Sequence, residues 1–285
     1  MSSGTMAQTN TEVGTVVLSF ITPASTPAIW EALTEPAIVS QWFGTLHAKL
    51  RVGTETRLDF GDGDFFTLTV TRYKPLDELE YTWRFLGIAP QDTILWELTP
   101  QETGCLVTVR DRQPDRSPAT VEAMREGWLD FTERLRLFLT TGTPTRYDWR
   151  REIDASIELT CGVEIAWYTL FSSELQSQWL PLNKPILDVG TAFVLTDGIE
   201  PSEVQITNVI WHPPHQVQYQ LTHASWLQPT ECLLKLTARG QGSLLTISHV
   251  GWEAIRAETK MQFQQRKRFC DFWIAALQQA QRLIL

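Results

Sequence analysis

The chain repeats itself at long range. Trp30, Leu33, Ser40-Gln41-Trp42-Phe43 and Gly53-Thr54 recur as Trp167, Leu170, Ser177-Gln178-Trp179-Leu180 and Gly190-Thr191, each 137 residues on. Leu98-Thr99 and Leu236-Thr237, like Gly104 and Gly242, stand 138 apart, and Asp130-Phe131 and Asp271-Phe272 stand 141 apart. Such drift is what small insertions in surface connections produce. The period is far longer than that of a solenoid repeat. The 285 residues are therefore read as two copies of one domain, over residues 11–141 and 150–285.

One copy shows its elements in order. Val13–Ile21 is rich in β-branched residues and predicts a strand. Ser25-Thr26-Pro27 supplies a hydroxyl cap and a first-turn proline for a short helix to Leu33, and Pro36 starts a second that ends near Trp42. Strands are then expected over Leu46–Val52, Thr56–Phe60, Phe65–Tyr73, Leu79–Phe85, Thr93–Leu98 and Leu106–Arg110, with Gly61-Asp62-Gly63-Asp64 as a hairpin turn. From Pro118 the apolar residues fall at 121, 124, 128, 131, 135 and 138, one stripe of an amphipathic helix that runs to about Leu139. The second copy repeats this: a strand over Glu152–Thr160, helices over Gly162–Leu170 and Ser173–Leu180, strands to about Val250, and a closing helix over 252–283. Pro213-Pro214 is placed in a turn. A meander with one large apolar face needs a cover, and only the long helix can supply it. A sheet curved around a helix encloses space for a ligand.

Charge and cysteine usage exclude several classes. The net charge is −9, split as −7 over residues 1–145 and −2 over the rest, so neither half offers the basic field that nucleic acid requires. The four cysteines, Cys105, Cys161, Cys232 and Cys270, show no C-x-x-C spacing and read as reduced thiols. Met1–Asn10 lacks the charge and apolar run of a signal peptide, and no stretch approaches the ~18 apolar residues of a membrane span. The expected address is cytoplasmic. The short segment 141–148, with Tyr147 and Trp149 near it, predicts packing of one domain against the other.

Pro27-x-Ile29-Trp30-x-Ala32-Leu33-Thr34-x-Pro36, Trp42-Phe43, Gly53, Phe60, Leu79-x-Tyr81-x-Trp83 and Gly127-Trp128 together resemble the START-like (SRPBCC) superfamily. More narrowly they resemble the domain homologous to the C-terminal part of the activator of the Hsp90 ATPase. The second copy is a more divergent match. The resemblance implies an α+β chain of two tandem helix-grip (START-like) domains. Each would be a curved antiparallel sheet wrapped around a long C-terminal helix, with two short helices after the first strand. It also implies an apolar cavity between sheet and helix, of the kind that takes lipids, polyketides or other hydrophobic molecules.

Candidate site residues follow from the aromatics. Twelve tryptophans is high usage, and Trp42, Phe43, Phe60, Trp83, Phe85, Trp96, Trp128 and Phe131 fall where the sheet–helix interior should be. They are read as ligand-binding walls, with plain core packing as the competing reading. No catalytic residue is assigned, and no cofactor is expected. His212, His215 and His223 crowd one hairpin but lack the convergent donors of a metal site. Asp59 to Asp64 lacks the calcium-loop pattern. Alternation turns Arg84 and Glu97 away from Trp83 and Trp96; Tyr81 and Tyr219 are matched across the copies, with a structural role as the competing reading. The favoured function is non-enzymatic binding of a hydrophobic small molecule. The alternatives are a cyclase- or hydrolase-type enzyme using the same cavity, and a module for a protein partner in stress handling.

Overall fold

The computed structural model describes residues 13–186, 190–196 and 201–285, and Met1–Asn10 lies outside them. The chain divides into two compact units, Met1–Gly87 with Gln91–Asp148, and Ile88–Pro90 with Trp149–Leu285.

The first unit opens with β1 (Thr15–Thr22), α1 (Thr26–Thr34) and α2 (Pro36–Trp42). Ser25 caps α1 by accepting from the Ala28 N–H, and prolines open both helices. There follow β2 (Thr45–Leu46), β3 (Glu55–Asp59), β4 (Phe65–Lys74), β5 (Glu78–Phe85), β6 (Asp92–Gln101), β7 (Gly104–Arg112) and α3 (Pro118–Thr141). The sheet is antiparallel in the order β1-β7-β6-β5-β4-β3-β2. A bulge between Val70 and Arg72 bends β4. Strict alternation buries Leu79, Tyr81 and Trp83 on β5, Ile94, Trp96 and Leu98 on β6, and Cys105, Val107 and Val109 on β7. Trp128 and Leu135 of α3 close over that face.

The second unit repeats the plan with β8 (Ile153–Leu159), α4 (Val163–Phe171), α5 (Gln176–Trp179), β9 (Ala192–Thr196), β10 (Pro201–His212), β11 (Gln216–Thr222), β12 (Thr230–Arg239), β13 (Gly242–Val250) and α6 (Thr259–Ile284). Its strand order is β8-β13-β12-β11-β10-β9. Each unit is thus a curled antiparallel sheet with a long terminal helix, the helix-grip arrangement. Among the described residues no helix is long and apolar enough to cross a membrane.

Three expected elements differ. Leu46–Val52 is not a strand: the ladder stops at Leu46, and Val52 makes only a single bridge to Val70. This is the sheet edge, where no outer neighbour holds the backbone, and the chain leaves to pack half-buried Leu50 against the core. The second short helix of the second unit shrinks to Gln176–Trp179: residues 173–175 form a turn in which the Leu175 N–H donates to the Ser172 hydroxyl at 3.3 Å. The closing helix is not continuous from 252. A 3-10 turn at Trp252–Ala254 precedes it, and the Gln262 amide donates to the Glu253 and Arg256 carbonyls at 2.6 and 2.7 Å, holding that loop off the helix.

Candidate functional site

Seven of the eight expected aromatics form one network in the first unit. Phe43 stacks on Trp42 at 4.7 Å between ring centres and meets Phe131 edge-on at 4.7 Å and Phe60 at 5.8 Å. Trp128 of α3 lies 5.5 Å from Trp83, 5.6 Å from Trp96 and 5.8 Å from Phe131. These separations are those of favourable stacked and edge contacts. Phe131 is half-buried and the other six are buried. Phe85, half-buried, meets the set through Phe66, at 5.1 Å. Phe66, which sequence reasoning did not single out, stacks on Trp83 at 3.9 Å. The rings fill most of the space they enclose. A void of about 20 Å³ lies among Leu33, Val39, Trp42, Leu58, Tyr81 and Trp96, room for about one water molecule.

At one end of this aromatic interior stands a polar cluster absent from the sequence reading. Asp92 opens β6 and Asp111 stands one residue before the end of β7, both on the inward-facing parity of their strands. Arg116, in the connection to α3, is 4% exposed and bridges them, with Nη2 at 2.7 Å from Asp111 Oδ1 and 2.9 Å from Asp92 Oδ1. The Trp128 indole donates to Asp111 Oδ2 at 2.7 Å, and Gln113 Nε2 donates to Asp92 Oδ1. Two carboxylates share one guanidinium, so the cluster carries net negative charge in a desolvated place. Burial, then the charge of Asp111, push the Asp92 carboxyl up to about 6 against the pull of Arg116. Nearby Tyr81 accepts from Trp96 Nε1 at 3.1 Å, and burial raises its phenol above the ordinary range. The signal was available: alternation that buries Ile94 and Trp96 also turns Asp92 inward, and continuing β7 one residue past Arg110 exposes Asp111. Arg84 and Glu97 do lie on the opposite parity, where Glu97 pairs with Arg110 at 2.7 Å.

The same positions in the second unit carry different chemistry. His249 stands where Asp111 does and Thr230 where Asp92 does, each 138 residues on, with matching register at Cys232↔His249 and Ile94↔Asp111. Trp273 donates to His249 Nδ1 at 3.0 Å, and His249 Nε2 lies 2.8 Å from Thr230 Oγ1. An indole only donates, so Nδ1 accepts and the ring proton sits on Nε2, facing the hydroxyl. Burial and the Arg266 charge hold the imidazole neutral, its pKa lowered to about 3. Tyr219 occupies the counterpart of Tyr81 and is fully buried. The remaining candidates are ordinary: His212 and His215 are exposed around the Pro213-Pro214 turn, and His223 Nδ1 pairs with the Ser225 hydroxyl. Asp59 to Asp64 is a hairpin connection whose Asp59 and Phe60 carbonyls accept from Arg146. Among the described residues no group of three or more His, Cys, Asp or Glu could hold a metal ion.

A curled sheet gripping a long helix, lined by aromatics and repeated in tandem, defines a START-like protein of the kind whose fold binds hydrophobic molecules. Residues 23–140 match the model of the family described as Activator of Hsp90 ATPase homolog 1-like protein. DynU16, a protein of the dynemicin biosynthetic locus, is 33% identical, with a TM-score of 0.88 over 96% of this chain and 100% of its own. The chain belongs to the START-like (SRPBCC) superfamily and, within it, to the Activator of Hsp90 ATPase homolog 1-like family. Protein MLL2253 from Mesorhizobium loti is 26% identical over 44% of this chain and 96% of its own, with a TM-score of 0.41. CalU16 from Micromonospora echinospora is 22% identical over 46% and 76%, with a TM-score of 0.40. No curated protein matches the chain.

Proposed function

We propose that the first domain binds a hydrophobic small molecule, lipid- or polyketide-like, between its sheet and α3, without chemistry of its own. The observation that supports this most is the continuous aromatic lining from Trp42 and Phe43 through Phe131 to Trp128 and Trp83. A ligand gains roughly 25 cal/mol per Å² of apolar surface removed from water, less the cost of ordering it. Entry requires the rings to part, and half-buried Phe131, Phe66 and Phe85 are the ones with room to move. In this reading the second domain, with a neutral His249 and Thr230 at the equivalent place, is the quieter copy. The test is native mass spectrometry of the purified chain beside a denatured control, with thermal shifts across lipids and polyketides. The expected result is an extra mass lost on unfolding, or stabilisation by one class. Neither effect anywhere in the panel overturns the reading.

A second reading is an enzyme of the cyclase or hydrolase type. Asp92 favours it, as a carboxyl raised to about 6 inside an apolar interior suits proton transfer near neutral pH. Turnover of a bound ligand that Asp92→Asn abolishes while binding persists would decide for this reading.

A further inference from the structure

The aromatic interior uses one face of the first sheet, and the opposite face carries a groove of about 230 Å³. Two neighbouring cross-strand rows form it. In one, Arg112 of β7 stands between Thr15 of β1 and Thr93 of β6. In the next, Arg110 stands between Val17 and Leu95, and Leu95 is in turn opposite Glu80 of β5. Direct cross-strand partners stand about 4.5–5.5 Å apart at Cβ, so each row is a contiguous strip.

Charge in the groove is uneven. Glu97 holds Arg110 at 2.7 Å, and Arg72 lies 3.8 Å from Glu80. Arg112 is exposed and forms no ion pair among the described residues. The hydroxyls on either side of it are unengaged too. Thr93 makes no side-chain hydrogen bond among the described residues, and Thr15, 5% exposed, holds an Oγ1 that is shielded from water and meets no partner. A buried hydroxyl without a partner costs free energy.

We propose that this groove binds the carboxylate of a small organic acid, gripped by Arg112 and by the Thr15 and Thr93 hydroxyls. A guanidinium presents parallel N–H groups that match the two carboxylate oxygens. Thr15 brings its hydroxyl to the ligand by a change of side-chain rotamer. One uncompensated cation calls for one negative charge, and Glu80 in the same wall repels a dianion such as phosphate. Val17 and Leu95 in the adjacent row give an apolar body a surface to lie on. The second domain does not repeat the arrangement: Glu231 and Val250 stand 138 residues on from Thr93 and Arg112, in the same register. One site per chain is therefore expected, on the other side of the sheet from the interior proposed above.

The experiment titrates the full chain with benzoate, with its neutral analogue benzamide and with inorganic phosphate. Calorimetry reads affinity, and nitrogen-15 NMR of the Arg112 Nε–H reads location. Benzoate should shift that resonance saturably and bind at least about tenfold tighter than benzamide, as a charge-assisted pair requires, and tighter than phosphate. Arg112→Gln, at an exposed position, should keep the melting temperature and weaken benzoate at least about tenfold. Thr15→Val, which replaces the orphan hydroxyl by a methyl group, should weaken it about threefold without loss of stability. An Arg112 resonance that benzoate leaves unmoved overturns the site, as does phosphate binding tighter than benzoate. Benzoate affinity that survives Arg112→Gln also overturns it, and assigns that binding to the aromatic interior, so the hydrophobic-ligand reading stands.

Discussion

Trp128 donates its indole N–H to Asp111 at 2.7 Å, and in the second domain Trp273 makes the corresponding bond to His249 at 3.0 Å. In each domain one hydrogen bond pins the long helix to the inner face at the end of the last strand. The role is kept while its chemistry changes: a carboxylate tied to Arg116 in one copy, a neutral imidazole in the other. The two indoles do not sit at matched positions. Asp130-Phe131 aligns with Asp271-Phe272, so Trp273 lies one helical turn beyond the counterpart of Trp128.

Asp111→Ala should be the most damaging polar substitution in the first domain. It leaves Arg116 with Asp92 as its sole acidic partner and removes the acceptor of Trp128. Breaking a buried ion pair from one side costs about 3–5 kcal/mol. Urea denaturation followed by tryptophan fluorescence should show a first-domain transition moved to lower denaturant. A shift worth under about 1 kcal/mol would mean that the cluster is solvated in solution.

Asp92 should make the first domain less stable as pH rises. Its folded pKa, about 6, lies above the ordinary carboxylate value. Between about 4 and 6 the folded state therefore holds more proton than the unfolded chain, and stability falls with increasing pH. Asp92→Asn mimics the protonated carboxyl. Its melting temperature relative to wild type should rise from pH 4.5 to pH 7, and a difference that stays flat or reverses would contradict the burial of this group.

The tandem plan was legible because it rests on local signals. Trp42 and Trp179, matched in sequence, donate to the Ala32 and Leu170 carbonyls, both at 2.8 Å and one residue apart in the repeat register, and so clamp the short helix pairs. Alternation placed the buried faces of β5 and β6, and the stripe of α3 held except at exposed Met124. The polar cluster was missed because composition points attention to aromatics, whereas Asp92 and Asp111 sit near strand ends, where the apolar alternation stops. Their bridging partner, Arg116, lies in a loop with no periodicity. The edge segment after Leu46 was misread because alternation reports amphipathic character and carries no information on whether a neighbouring strand exists.

Gly104 and Gly242 should tolerate no side chain, for a reason shared by both copies. A Cβ at Gly104 would stand 2.0 Å from the Thr22 carbonyl oxygen, and one at Gly242 would stand 2.1 Å from that of Leu159. Both oxygens belong to the end of the first strand of their domain. Gly104 also has φ +100, a conformation that side-chain-bearing residues rarely adopt. Gly104→Ala should cost more than Gly242→Ala, each at least about 2 kcal/mol by the usual cost of backbone strain and displacement. Chemical denaturation reads both, and a neutral Gly104→Ala would show that the β6–β7 hairpin relaxes away from β1.

His249 should be a source of acid lability in the second domain. Its folded pKa, about 3, lies below the ordinary 6.5. Between these values the unfolded chain binds the proton and the folded state does not, so stability is full above about 6.5 and falls as pH drops toward 3. The cause is geometric. Nδ1 already accepts from Trp273 and Nε2 faces Thr230, so a second ring proton would have to displace the Trp273 bond inside a fully buried pocket. Nitrogen-detected NMR of the labelled imidazole should find a single Nε2–H tautomer with no titration between pH 5 and 8. His249→Gln should flatten the acid limb of the second-domain unfolding transition even if it lowers stability at pH 8. A His249 resonance that titrates near 6.5 would contradict both the burial and the hydrogen bonds that fix the ring.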